Sequence, residues 1–473
     1  MKEGNPEMKP VAAALLLSTA FFAALPVMAQ AQDAKVFRAT VAGHAFLPAQ
    51  TFVPAPQDAP DSLKTSGKYT GDMRNDKLGS VEGISALSDK AAPRKIGISL
   101  PFQGQPVQGF SGIRSLGNGE FIVVTDNGFG SKGNSPDAML MFHRLKIDWA
   151  SGQVQRQNTF FLHDPDKKIP FLIVNEGTRQ RYLTGADFDL ESIQPVGDTI
   201  WLGEEFGPYL IAADRNGKVK QVVETKLNGK TLRSPDHYAM RMPGAPGAVA
   251  FDVRRSKGYE GMAASKDGKF LYPLLEGALW DAAANATEKG TDGKEYLRIL
   301  EFDVQKADWT GRSWKYRLEV NGNSIGDFNM IDAETAMIIE RDDTEGSPAQ
   351  ACKAEPKPDC FNRPAKFKRV YKIDMSKPDA DGYVRKIGYI DLMDMADPNK
   401  KARQGAERGG EPSEGGQRLT FPFFTIENVD VVDATHIIVG NDNNLPFSSG
   451  RALGKSDDNE FVLLEAKEFL SAK

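Results

Sequence analysis

A two-strand unit recurs five times along this chain, and that recurrence limits the fold more than any composition figure. Each copy opens on a small residue or a carboxylate beside an apolar residue, passes through a strand, a turn and a second apolar strand, and ends on a polar cluster roughly 13 to 16 residues on. The first copy runs from Phe110-Ser111-Gly112-Ile113 through Gly117-Asn118-Gly119 to Thr125-Asp126-Asn127. The clearest runs from Asp187-Phe188-Asp189-Leu190-Glu191 to Trp201-Leu202-Gly203-Glu204-Glu205. The third spans Tyr259-Glu260-Gly261-Met262 to Leu275-Glu276-Gly277. The weaker fourth spans Asp327-Phe328-Asn329 to Glu340-Arg341-Asp342, and the fifth Ile426-Glu427-Asn428 to Asn441-Asp442-Asn443. A partial sixth start, Ser80-Val81-Glu82-Gly83-Ile84, has no evident second strand.

Between these landmarks, short β-branched and aromatic runs alternate with Gly, Asp and Asn turns, and helical periodicity is scarce. The expected fold is therefore all-β: a single β-propeller of about six blades, with five or seven also compatible with the spacing. A pair of β-sandwiches is the alternative. Residues 1–31 read as a signal peptide, 32–79 as an N-terminal segment and 80–473 as the propeller. A strand at Lys35 to Val41 is expected to pair with Phe461 to Leu464 and close the ring, which removes an unpaired edge.

A propeller carries equivalent positions of each copy to one channel, so the recurring acids meet. Two carboxylates about 4 Å apart repel by roughly 4 kcal/mol at an effective dielectric near 20, so a dry group of them needs a cation. The expected ligands are Asp126, Asp187, Asp189, Glu205, Glu276, Glu427 and Asp442, with Glu191, Glu204 and Glu260 as candidate catalytic carboxylates. Asp187, Asp189 and Glu191 share a face if their strand is regular. Oxygen donors select calcium, with magnesium second; the five His, at 44, 143, 163, 237 and 436, are scattered and do not suggest zinc. The competing reading is that each acid merely fixes a strand end. Arg233, Arg255, Lys257 and Arg341 are candidates for holding an anionic substrate, against the alternative of surface charge balance. The Gly-, Glu- and Arg-rich stretch from Ala396 to Arg418 reads as a surface excursion.

Lys2 and Lys9 precede an apolar run from Val11 to Met28, followed by Ala29-Gln30-Ala31, a pattern of export with cleavage near Ala31 into the periplasm or beyond; a membrane anchor is the alternative. Export makes Cys352 and Cys360, the only two cysteines, an expected disulfide in a Pro- and Lys-rich loop. The net charge of -5 and the absence of a basic, aromatic-rich stripe argue against nucleic acid, and no stable membrane partner is expected; a small anionic ester is the expected substrate.

Several of these segments resemble a known family. Phe110-Ser111-Gly112-Ile113, the run Asp187 to Ile193 with Gly203-Glu204-Glu205-Phe206-Gly207-Pro208-Tyr209, Arg233-Ser234-Pro235-Asp236, and Lys257-Gly258-Tyr259-Glu260-Gly261-Met262 are similar to the phytase-like family, also described as having "esterase-like activity of phytase". The resemblance runs from about residue 80 to the C-terminus and implies an exported bacterial propeller with a hydrolase label. It carries over no catalytic set. Gly109-Phe110-Ser111-Gly112 lacks the second glycine of a Gly-x-Ser-x-Gly elbow, and the chain lacks an Arg-His-Gly phosphatase signature and a cysteine phosphatase loop, which favours metal-assisted attack of water on a phosphate or carboxylic ester. A non-catalytic calcium-stabilised propeller and a lactonase resembling gluconolactonases are the competing functions.

Overall fold

The computed structural model describes Met1 and residues 34–241, 249–408 and 416–473; the expected signal peptide and the tip of the 396–418 excursion lie outside these residues. Among the described residues the regular structure is nearly all strand, with one short α-helix, Lys467–Ser471, and two 3-10 turns, Asp61–Leu63 and Pro348–Gln350.

Five four-stranded antiparallel units follow one another in the sequence. The first comprises Phe110–Gly117, Glu120–Thr125, Met141–Asp148 and Gln153–Phe161. The second comprises Leu190–Val196, Thr199–Glu204, Tyr209–Ala213 and Val219–Glu224, and the third Tyr259–Ala264, Phe270–Leu275, Tyr296–Asp303 and Asp308–Arg317. The fourth comprises Ser324–Met330, Thr335–Arg341, Lys368–Asp374 and Arg385–Asp391. The fifth takes Thr425–Val431, His436–Asp442 and Asn459–Glu465 from the C-terminal end and its outer strand, Thr40–Leu47, from the N-terminal end, with Ala45 opposite Phe461 and Thr40 opposite Glu465. Ring closure thus uses Thr40–Leu47, which shares Thr40 and Val41 with the expected Lys35 to Val41, Val41 lying opposite Leu464. Lys35–Val36 instead lies parallel to the outer strand of the fourth unit, Lys35 facing Gly388.

The first strands of successive units lie side by side, and that of the fifth lies against that of the first. One apolar cluster fills each junction. Phe142 and Val124 meet Ile193 and Leu202 between the first two units, and Trp201 and Leu210 meet Met262 and Leu271 at the next. Leu274 and Ile299 meet Phe328 and Ile338, Met337 and Val370 meet Val429 and Val439, and Ile438 and Phe461 meet Phe110 and Phe121. Alternation along each strand sends one set of side chains to each neighbouring junction, so the units are held by burial on both faces. Gly326 permits a close approach between the first strands of the fourth and fifth units: a Cβ there would lie 2.1 Å from the Ile426 carbonyl oxygen.

The partial sixth start, Val81–Ile84, pairs only with Lys95–Leu100. It belongs to an excursion between Leu47 and Phe110 whose docking surfaces include the loops that follow Arg341 and Asp442. Ala86 N donates to Phe447 O at 2.8 Å, Ser85 Oγ donates to Glu345 at 2.8 Å, and Arg94 forms a buried 2.6 Å ion pair with Glu345. Those loops leave the strand ends that carry Arg341 and Asp442, which places the excursion at the carboxylate end of the ring. Cys352 and Cys360 form the expected disulfide. The described flanks of the 396–418 stretch are ordered, with Met395–Ala396 and Ala406–Arg408 both pairing with Gln417–Leu419.

Candidate metal centre

Every unit carries a β-bulge between its first two strands at the same place. The pairs Phe110 with Thr125, Leu190 with Glu204, Tyr259 with Leu275, Ile325 with Glu340, and Ile426 with Asn441 each precede a register shift. A bulge inserts one residue and re-aims its side chain. The residue after each first member is Ser111, Glu191, Glu260, Gly326 or Glu427, and the residue after each second member is Asp126, Glu205, Glu276, Arg341 or Asp442. Local sequence thus builds two tiers at one end of the ring, acidic in four sectors and basic in the fourth unit.

The acids converge. Oxygens of Asp189, Glu191 and Glu205 lie within 4.8 Å of one another, as do those of Glu191, Glu260 and Glu427, and those of Glu205, Glu260 and Glu276. All six residues are buried. Asp189 is oriented by Asn127, whose backbone N–H and side-chain amide donate to it at 3.1 and 2.7 Å, and Ser111 Oγ donates to Glu427 at 3.1 Å. Two cations enter the group. Arg341 sits 2.8 Å from Glu427, 3.9 Å from Glu276 and 4.0 Å from Glu260, with its other Nη held by Asp343 at 2.7 Å. Lys257 pairs with Glu276.

These cations do not balance the site. Oε1 of Glu205 and Oε1 of Glu260 are buried without a hydrogen-bond partner, as is Nε of Arg341. Burial, reinforced by neighbouring carboxylates, pushes Glu191, Glu205, Glu260 and Asp126 well above the usual range and Asp442 up to about 8. Burial also works against the Arg341 charge, but Glu427, Asp343, Glu260 and Glu276 outweigh it and raise its pKa. An orphaned buried carboxylate oxygen is costly, and all-oxygen triads of this span match a calcium shell, whose ligands sit about 2.3 to 2.6 Å from the ion. None of the five His belongs to a triad, so the donor set suits a hard cation and not zinc.

Four expected site residues lie elsewhere. Asp187 precedes the strand, so the assumed regular alternation with Asp189 and Glu191 does not hold; its oxygens accept from Val174 N, Thr184 N and Thr184 Oγ1 and pin a loop. Glu204 turns from its neighbour Glu205 to accept the N–H groups of Phe206, Gly207 and Tyr209 at 2.7 to 2.8 Å. Arg255 is two-thirds exposed and pairs with Asp236, and Arg233 is exposed. Ser111, Asn127 and Asp343 were not singled out from the sequence. Ser111 was findable, because it stands where Glu191 and Glu427 stand in their own units; the other two act through loop geometry that no spacing reveals.

An all-β ring of repeated units around a buried acidic pocket is the class of protein this architecture defines. The phytase-like family model, described as esterase-like activity of phytase, matches residues 105–445, and the chain belongs to that family. An uncharacterized secreted protein of Arthroderma benhamiae is 29% identical over 116 residues, which is 22% of this chain and 21% of that protein, so the chain spans about a fifth of this curated relative. Among solved structures, a candidate 6-phosphogluconolactonase from Bacteroides fragilis is 13% identical, covering 80% of this chain and 92% of that one with a TM-score of 0.28. A GH43 β-1,3-galactosidase is 11% identical over 82% and 60% of the two chains with a TM-score of 0.35. Likenesses at these scores do not bear on what this chain does.

Proposed function

We propose that this protein is a five-bladed propeller that hydrolyses a phosphate or carboxylic ester of a small anionic substrate with the help of a divalent cation, calcium first and magnesium second, held at the carboxylate end of its channel. The observation that carries this reading is the pair of orphaned buried oxygens, Glu205 Oε1 and Glu260 Oε1, inside a group of converging acids. Family membership supports ester hydrolysis. The five units with five apolar junctions support a single ring of five blades, in place of the about six expected from length.

When bound, the cation supplies Lewis acidity to the ester oxygen and to the attacking water. The remaining work falls to side chains. Asp189, Glu191 and Glu205 hold the ion, with Asn127 fixing the angle of Asp189. Arg341 and Lys257 bind the substrate anion, and Asp343 holds the Arg341 fork against rotation. Glu260, one of whose carboxylate oxygens lacks a hydrogen-bond partner, acts as general base. The apolar-residue run Val11 to Met28, the disulfide and the secreted relative support export, and no helix among the described residues is long and apolar enough to cross a membrane.

The test is turnover on phosphomonoesters, phytate and aryl esters, with calcium and with chelator. Calcium-dependent hydrolysis of at least one anionic ester is expected. Chelator-insensitive turnover, or none on any substrate by folded protein, overturns the reading, and the second outcome favours a calcium-stabilised binding protein.

A further inference from the structure

We propose that the groove between the first and second units, at the end of the ring opposite the acidic pocket, binds a single-chain aliphatic carboxylate, with its tail between the two sheets and its head group at Arg144 and Arg215. The first strands of these units start at the acid tier and run to Leu116 and Pro195, so the groove shares no residue with the pocket. It does not depend on the hydrolytic reading.

The other four junctions are each filled by an indole or by the C-terminal helix. Trp309 packs between the second and third units and donates from Nε1 to Glu224 O at 2.8 Å. Trp314 packs between the third and fourth and donates to Met375 O at 3.0 Å. Phe469, from the helix Lys467–Ser471, is buried between the fourth and fifth. Trp149 lies between the fifth and first, so close to Gly43 that a Cβ there would meet its ring at 2.8 Å. Among the described residues the junction of the first and second units contains no Trp. A cavity of about 300 Å³ remains there, lined by Leu116, Ile122, Phe142 and Phe160 from the first unit and by Pro195 and Ile200 from the second. That size suits a small ligand. The walls are apolar apart from the two arginines, so a sugar or nucleotide would leave its own polar atoms unpaired.

The edge of the groove is basic. Arg144 pairs with Glu120 at 2.8 Å, and Arg215 pairs with Asp198 at 3.3 Å and donates to Gly197 O at 2.9 Å. Lys146 donates to Asn118 O, and Lys220 to Asp198 O at 3.2 Å. Four cations thus serve the two turns beside the groove, at Asn118-Gly119 and Gly197-Asp198, against the two carboxylates of Glu120 and Asp198. Arg144 and Arg215 are exposed, and ion pairs so exposed are weak. An arriving carboxylate can therefore take over either guanidinium fork.

Calorimetric titration of the chain without its signal segment tests this, with octanoate, octanol and butanoate as probes, each below its micelle-forming or solubility limit. Octanoate is expected to bind once per chain with a Kd below about 1 mM. Butanoate, four methylenes shorter, should bind at least about 50-fold more weakly, and octanol at least about threefold more weakly because it offers the arginines no charge. Leu116→Trp gives this junction the indole that three others have; it is expected to weaken octanoate at least about tenfold and to leave turnover unchanged. Arg215→Glu, at an exposed position on which folding does not depend, should weaken octanoate by about as much and leave octanol unchanged. No octanoate bound by the wild type overturns the proposal, as does octanoate binding that neither variant alters. Cosedimentation with phosphatidylglycerol vesicles without binding of free octanoate overturns it in favour of a membrane contact. Dimerisation that Leu116→Trp abolishes, again without octanoate binding, overturns it in favour of a second copy of this chain.

Discussion

The five innermost strands carry two groups of buried acids, and only one of them is short of partners. Further along these strands from the metal-centre tier, Asp327 accepts from Phe328 N at 2.8 Å, Val429 N at 3.2 Å, Ile113 N at 3.3 Å and Asn329 Nδ2 at 3.0 Å. Asp430 accepts from Arg114 at 3.0 Å and from Ser115 N at 2.7 Å. Every oxygen there has a donor, and the donors come from different units, so the group ties neighbouring first strands together. Around Glu205 and Glu260 the neighbours are mostly other acids and an oxygen of each is bare. Burial raises the pKa in both places, to about 7 at Asp327, so a perturbed acid does not by itself separate a structural group from an ion site. The supply of donors does.

Substitution should separate the two groups sharply. Glu191→Gln keeps shape and removes one ligand charge; it is expected to lower calcium-dependent turnover at least about 100-fold, with the melting temperature in chelator unchanged or raised because like-charge repulsion is relieved. A large fall in melting temperature that calcium does not restore would make Glu191 structural and break the contrast. Asp327→Ala is expected to do the reverse, costing about 2 to 4 kcal/mol by orphaning donors from three strands, equally with and without calcium. Denaturant midpoints in both conditions measure it.

The sequence made the repeat and its acids legible because a ring of repeated units turns sequence period into spatial convergence. Glu191, Glu205, Glu260, Glu276 and Glu427 stand at equivalent offsets and meet. What it could not show is decided by single-residue register. Glu204 and Glu205 are indistinguishable in a string, yet a strand end sends one to the backbone N–H groups of a turn and the other to the pocket. In the fourth unit the sequence draws the eye to Asp327, but the bulge puts Gly326 at the equivalent position. The length arithmetic behind about six blades also counts the excursion from Leu47 to Phe110, which forms no four-stranded sheet.

Proton linkage gives a milder way to sharpen the contrast. Asp442 rises from 3.8 to about 8, and Glu191, Glu205 and Glu260 also rise. A carboxyl with a raised folded pKa binds its proton more tightly when folded, so its contribution is full below the unfolded value and is lost as pH rises through the folded value. In chelator, the melting temperature should therefore fall from about pH 4 to about pH 8. Calcium binds the deprotonated group and should flatten or invert that slope, since its stabilisation grows as protons leave. Asp327 remains saturated by its donors under both conditions, so a slope of equal size with and without calcium would trace the pH dependence to that group and remove the distinction.

The smallest effect is expected outside both groups. The Cys352–Cys360 bridge closes a short loop, and loop-entropy arithmetic gives it at most about 2 to 3 kcal/mol. The loop it staples leaves the same strand end as Arg341, and Arg363, just beyond the bridge, donates to the Asp343 carbonyl oxygen at 3.0 Å. Cys352→Ser with Cys360→Ser should therefore lower stability modestly while calcium stoichiometry stays at the wild-type value, because no triad residue belongs to that loop. If loosening the loop lets Asp343 release Arg341, substrate KM rises while the ion count holds. Loss of a bound ion on reduction would instead show that the ion site depends on this distant staple, and that its geometry is not set by the five first strands alone.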